Sequence, residues 1–85
     1  MVNDKKMYVI AAPLSGTFYR RFSPEEDPCV KEGDRIEADT VVCIVESMKV
    51  FNDVRSEKAG IVRRILVEDE DAIIIQQPLI EIEPI

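Results

Sequence analysis

A repeat within the chain constrains its fold more than any other feature. Residues 30–46 lie over residues 67–83 at an offset of 37, with no gap. Val30 meets Val67, Asp34 meets Asp71, Ile36 meets Ile73, Val42 meets Leu79, Val45 meets Ile82 and Glu46 meets Glu83. A second stretch, 15–20, lies over 59–64 at an offset of 44, matching Gly16 to Gly60 and Arg20 to Arg64. The two offsets differ by seven, so the first copy carries seven extra residues within 21–29. A domain of 85 residues has room for one core only. Two copies must therefore share that core, and a pseudo-twofold axis between them is predicted.

The copies read as strands. Val and Ile dominate, and no long stretch holds a 3.6-residue apolar period. The candidate strands are 8–11, 16–21, 35–36, 41–46, 50–55, 60–67, 72–73 and 78–82, separated by Pro, Gly or charged clusters. The expected fold is all-β: a flattened barrel or sandwich of two pseudo-twofold-related four-stranded sheets, with the extra residues as an inserted loop. Residues 1–7 read as a polar tail and 8–85 as the domain.

Composition narrows the function. The net charge of −6 repels phosphate backbones and argues against a nucleic-acid partner. No apolar run approaches the ~20 residues of a membrane helix, and the polar start offers no secretory signal, so a cytoplasmic protein is expected. The chain has no His and only Cys29 and Cys43, outside any Cys-x-x-Cys pair, so no metal site is expected. Cys43 falls in an apolar run and reads as a buried thiol, while Cys29 lies in a proline-rich loop and reads as exposed. A disulfide between them is not expected in a reducing compartment. Without His the usual general base is missing, and an enzyme is the least favoured class. The acidic run Glu68, Asp69, Glu70, Asp71 lacks the ligand spacing of a calcium loop and reads as a solvated turn.

The junction between the copies has no counterpart elsewhere in the chain. It reads Glu46-Ser47-Met48-Lys49-Val50. The chain must reverse here to begin its second half, and a two-residue hairpin turn centres on Met48 and Lys49. Such turns want positive φ, which Gly and Asn supply cheaply and Met and Lys do not. Backbone strain of this kind persists where function fixes the residues.

These residues resemble the biotinyl domain of the biotin carboxyl carrier proteins of acetyl-CoA carboxylase. The resemblance rests on Ala12-Pro13-Leu14-Ser15-Gly16-Thr17-Phe18-Tyr19, on Val42-Cys43-Ile44-Val45-Glu46-Ser47-Met48-Lys49 and on Ala59-Gly60-Ile61-Val62, and it runs from about residue 8 to 83. It implies that Lys49 carries covalent biotin, with Glu46, Ser47, Met48 and Val50 as the flanking motif. It implies a non-catalytic carrier with three partners. A biotin protein ligase loads Lys49, a biotin carboxylase adds the carboxyl group, and a carboxyltransferase passes it from carboxybiotin to acetyl-CoA, giving malonyl-CoA for fatty-acid synthesis. The attacking group in loading is the neutral Lys49 amine, so the ligase must help to remove its proton.

The inserted loop resembles the thumb of bacterial carriers. Pro24 and Pro28 favour a defined loop shape. Phe22 is expected to tuck inward beside Ser23, with Glu25, Glu26 and Asp27 at the wet tip. The resemblance implies that the thumb lies beside the hairpin and restrains the biotin arm, with Arg21 able to donate to the ureido oxygen. The sequence departs from the family's pattern at Ser47, where Ala is usual, and at Val50, where Met or Leu is common. It also lacks Gly near Glu70-Asp71, and Arg21 replaces a small hydroxyl residue. Two other classes fit the same fold. A lipoyl carrier usually has Asp-Lys at the turn, and Met48 speaks against it. An unmodified interaction domain would gain no mass from ligase, biotin and ATP.

Overall fold

The computed structural model describes residues 6–85; of the expected polar tail, residues 1–5 lie outside the described part. Eight strands run through the described residues: β1 (Tyr8–Ala11), β2 (Gly16–Tyr19), β3 (Arg35–Ile36), β4 (Val41–Ser47), β5 (Val50–Arg55), β6 (Gly60–Ile65), β7 (Ala72–Ile73) and β8 (Pro78–Pro84). They form two antiparallel four-stranded sheets, ordered β1-β8-β6-β3 and β5-β4-β2-β7. The expected all-β class and the pair of sheets are both present.

The internal repeat is written into the pairing. Shifting β2 by 44 gives β6, and shifting β3 and β4 by 37 gives β7 and β8, so one sheet order maps onto the other. The registers agree residue by residue: Gly16 pairs with Ile73 as Gly60 pairs with Ile36, and Thr17 with Ala72 as Ile61 with Arg35. The turns repeat too. Lys31 N donates to Asp34 Oδ2 at 2.9 Å, and Glu68 N donates to Asp71 Oδ2 at 2.9 Å.

The matched glycines have one cause. A Cβ on Gly16 would drive into the carbonyl oxygen of Glu46, and one on Gly60 into that of Glu83. At both positions a neighbouring backbone comes too close for any side chain. The missing Gly of the second turn is also explained. Gly33 has φ 97°, and Glu70, its equivalent, takes φ 70° without the freedom of glycine. The left-handed geometry survives where the residue suited to it does not.

The core is shared between the copies, with Ile36 and Ile73, Val42 and Leu79, and Val45 and Ile82 buried together around Phe18 and Val62. Cys43 is fully buried, as expected; Cys29 is half-buried rather than exposed, because the base of the inserted loop folds back on β2. Strand limits differ from expectation where polar contacts intervene. β2 stops at Tyr19 because Arg20 N donates to Asp69 Oδ1 at 2.9 Å and Arg20 O accepts from Cys29 N at 2.6 Å. β6 stops at Ile65 rather than running to 67, while β4 and β8 run on to Ser47 and Pro84. Among the described residues no helix is long and apolar enough to cross a membrane.

Candidate functional site

The β4–β5 hairpin carries the site. Ser47 pairs with Val50, leaving Met48 and Lys49 as the two turn residues. Their φ values are 52° and 68°, so both stand in the left-handed region, as a type I′ turn requires. Each such non-glycine residue costs of order 1 kcal/mol, which the flanking ladder must offset. Two side chains brace the turn. The Glu46 carboxylate accepts from the Lys49 amide at 2.9 Å, and Asn52 Nδ2 donates to the carbonyls of Val45 at 3.1 Å and Val50 at 3.2 Å. The outcome is a rigid backbone that presents exposed side chains. Met48 is 92% exposed, and Val50, Phe51 and Lys49 also face solvent. Among the described residues no group holds the Lys49 ammonium, so its arm is free to be reached and modified.

The inserted loop sits against the outer face of the hairpin sheet. A groove of about 450 Å³ opens between them, with Tyr19, Ile44, Phe51 and Asp53 on the sheet side and Phe22 and Pro24 on the loop side. Ile44 is only 3% exposed yet lies outside the barrel core, because it is covered on the outer face. The Tyr19 and Phe51 rings stand 6.0 Å apart at 51°, forming a tilted pair. Phe51 is two residues beyond Lys49, so the groove begins about one strand step behind the turn.

One expectation for this loop needs correction. Phe22 is 56% exposed, since it lines the open groove and does not tuck into the core. Arg21 lines the groove as well, with its guanidinium partly engaged within the loop. Its Nη1 donates to the carbonyl of Glu26 at 2.9 Å, and its Nε lies 3.9 Å from Asp69. Arg21 therefore holds the loop's shape from within. Glu25, Glu26 and Asp27 are exposed, as expected, and Glu26 N donates to Ser23 O at 3.1 Å to close the bend.

The acidic turn does more than meet water. Asp69 binds the backbone of Arg20 and faces Arg21, tying the inserted loop to the second copy. Sequence reading missed this role, although the repeat contains the signal: the Gly16–Ile73 register, run on antiparallel, brings Arg20 to Asp69. It also missed Tyr19, Ile44, Phe51 and Asp53 as one surface. Among the described residues no three His, Cys, Asp or Glu side chains are placed to hold a metal ion.

Comparison with known proteins adds an independent line. The model of a family described as "Biotin-requiring enzyme" matches residues 4–82. The chain is 41% identical over 81 residues to the biotin carboxyl carrier protein of acetyl-CoA carboxylase of Nostoc sp., covering 95% of this chain and 44% of that protein. The Haemophilus influenzae protein of the same name is 41% identical over 76 residues, covering 89% and 49%. A chloroplastic counterpart in Arabidopsis thaliana is 40% identical over 75 residues, covering 88% and 29%. The chain thus spans less than half the length of each of these relatives.

Proposed function

Because the chain belongs to the biotin-requiring enzyme family, we propose that it is the biotin carboxyl carrier domain of an acetyl-CoA carboxylase, loaded at Lys49. The observation that supports this best is the type I′ turn built from Met48 and Lys49, both at positive φ without glycine. A solvated lysine needs no such turn. A lysine that must be read by an enzyme does, because a fixed backbone presents it in one orientation at little entropic cost. The carrier domain is taken as residues 8–85, with 1–7 as a tail and 21–29 as the thumb.

In this reading the neutral Lys49 amine attacks the acyl carbon of biotinyl-adenylate on a ligase; the amide C–N bond forms, the acyl–phosphate bond breaks, and AMP and a proton leave. Bound biotin supplies a ureido nitrogen that can take up and release a carboxyl group. The chain itself supplies no catalytic acid or base. Its contribution is a rigid hairpin, a mobile arm and a high local concentration of that arm at a biotin carboxylase and a carboxyltransferase. Glu46 and Asn52 keep the turn in register, and the thumb groove offers the arm an apolar resting place between Phe51 and Phe22. Arg21 acts there by shaping the thumb. The proposed compartment is the cytoplasm, where ATP and acetyl-CoA are at hand for the partners.

Intact mass tests the reading. The chain is incubated with biotin protein ligase, biotin and ATP, and the expected result is one added biotinyl group, absent in Lys49→Arg. An arginine variant that still takes up one equivalent would refute the assignment to Lys49. Addition of a lipoyl group instead of biotin, by a lipoate ligase, would move the domain to the lipoyl carriers.

A further inference from the structure

We infer that the end of the barrel bearing Lys49 is the docking face of the enzyme that acylates this lysine, with Ile74 and Ile75 as its contacts outside the hairpin. The inference rests on the reading of Lys49 as the attachment lysine.

Register places these isoleucines. Glu46 pairs with Thr17, and Gly16 pairs with Ile73, so the β7–β8 turn emerges at the same end of the sheet as the hairpin tip. Ile75 N donates to Ser15 Oγ at 2.8 Å, which fixes the turn beside the β1–β2 loop. Ile74 is 67% exposed and Ile75 54%. β7 is two strands from β4, which places Ile74 roughly 10 Å from the hairpin strand. An enzyme surface of ~800 Å² centred on Lys49 has a radius of about 16 Å and covers both residues.

The pseudo-twofold provides an internal control. The equivalent of the 74–77 turn is 37–40, and the equivalent of 12–15 is 56–59. Both turns close with the same kind of bond: Ile74 N donates to Gln77 Oε1 at 3.0 Å, and Glu37 N donates to Thr40 Oγ1 at 2.9 Å, although Gln76 takes φ 74° and its equivalent Asp39 is not in the left-handed region. The side chains do not match. Residues 12–15 and 74–77 contain no charged group, whereas 37–40 and 56–59 contain Glu37, Asp39, Glu57 and Lys58. In a chain that is 33% charged, charges occupy the turns at the far end and are absent from the two turns that flank the Lys49 hairpin. Depletion of charge around exposed Met and aliphatic side chains is the composition of an interface core.

The chain's own sequence supplies the test. The double variant Ile74→Glu/Ile75→Ala places the residues of the equivalent turn at positions 74 and 75. Biotin protein ligase is assayed at varied carrier concentration with biotin and ATP. The expected result is a KM for the carrier at least tenfold higher, with kcat within about twofold and an unchanged melting temperature. The mirror variant Glu37→Ile/Ala38→Ile leaves KM unchanged. If the double variant fails to fold, Ile74→Gln carries the test, with an expected rise in KM of about threefold. A folded variant with wild-type KM overturns the inference. So does a wild-type chain that sediments as a dimer and a variant that is monomeric, because a second copy would then be the occupant. Biotinylation of Lys49→Arg would instead defeat the reading of Lys49, and the two failures are separate measurements.

Discussion

The carboxylate of Glu46 reaches across the hairpin and accepts the backbone N–H of Lys49, Oε2 to N 2.9 Å. The bond lies within a turn whose two central residues both carry positive φ, so it holds a conformation that neither residue prefers. Removing the acceptor in Glu46→Ala should cost about 0.5–1 kcal/mol at this exposed site. Amide hydrogen exchange at Lys49 should quicken several-fold, while Glu46→Gln, which keeps an oxygen acceptor, should lie between the two. An unchanged exchange rate in the alanine variant would show that the ladder alone holds the turn.

The paired glycines can be tested against each other. Gly16→Ala and Gly60→Ala each force a methyl into a backbone carbonyl, of Glu46 and of Glu83 respectively. Overpacking of this kind costs about 1–3 kcal/mol. Urea denaturation should show similar losses for both, because the contacts are pseudo-equivalent. A loss below about 0.5 kcal/mol at either site would mean that the strands can part there without penalty.

Gly33 and Glu70 share a turn geometry but not a residue type. Glu70→Gly should raise stability by about 0.5–1 kcal/mol, since the exposed Glu70 holds φ 70° at a cost that glycine does not incur. Gly33→Ala, at φ 97°, should lower stability by a similar amount. Thermal melts of the two variants should shift in opposite directions, and shifts of the same sign would contradict the equivalence.

Alkaline pH should weaken the fold through Cys43. Burial pushes its thiol from 9.0 up to about 12, with a smaller contribution from nearby Cys29. Between these values the unfolded chain loses the proton and the folded chain keeps it. Stability from this group is therefore complete below about pH 9 and is lost as pH rises toward 12, at about 1.4 kcal/mol per pH unit. Cys29, also raised by burial first, adds to the same trend. Unfolding free energies measured from pH 8 to 11 should fall more steeply for the wild type than for Cys43→Ala. Parallel slopes would rule out burial of this thiol as the source.

Much of the architecture follows from sequence alone. The offsets of 37 and 44 already pair Ile36 with Ile73 and Gly16 with Gly60, and the structure uses those residues at equivalent places in two sheets. A repeat carries this much because each copy must make the same contacts to bury the same strands. The turn at Met48 and Lys49 was legible for a related reason: the chain has to reverse where the copies meet. The surface around the site was not legible. Ile44 reads as one more core residue of an apolar strand, yet it is buried on the outer face, under a loop that the repeat lacks. Phe22 reads as core and lines an open groove, and Arg21, which lines the same groove, also braces the loop through the Glu26 carbonyl. Local pattern reports which residues avoid water and where the chain must turn. It cannot report which distant segment covers them, and the Arg20–Asp69 contact joins residues 49 apart in the chain. That covering depends on how the two halves pack, so the tertiary structure alone decided the groove and the gathering of two uncharged turns beside Lys49.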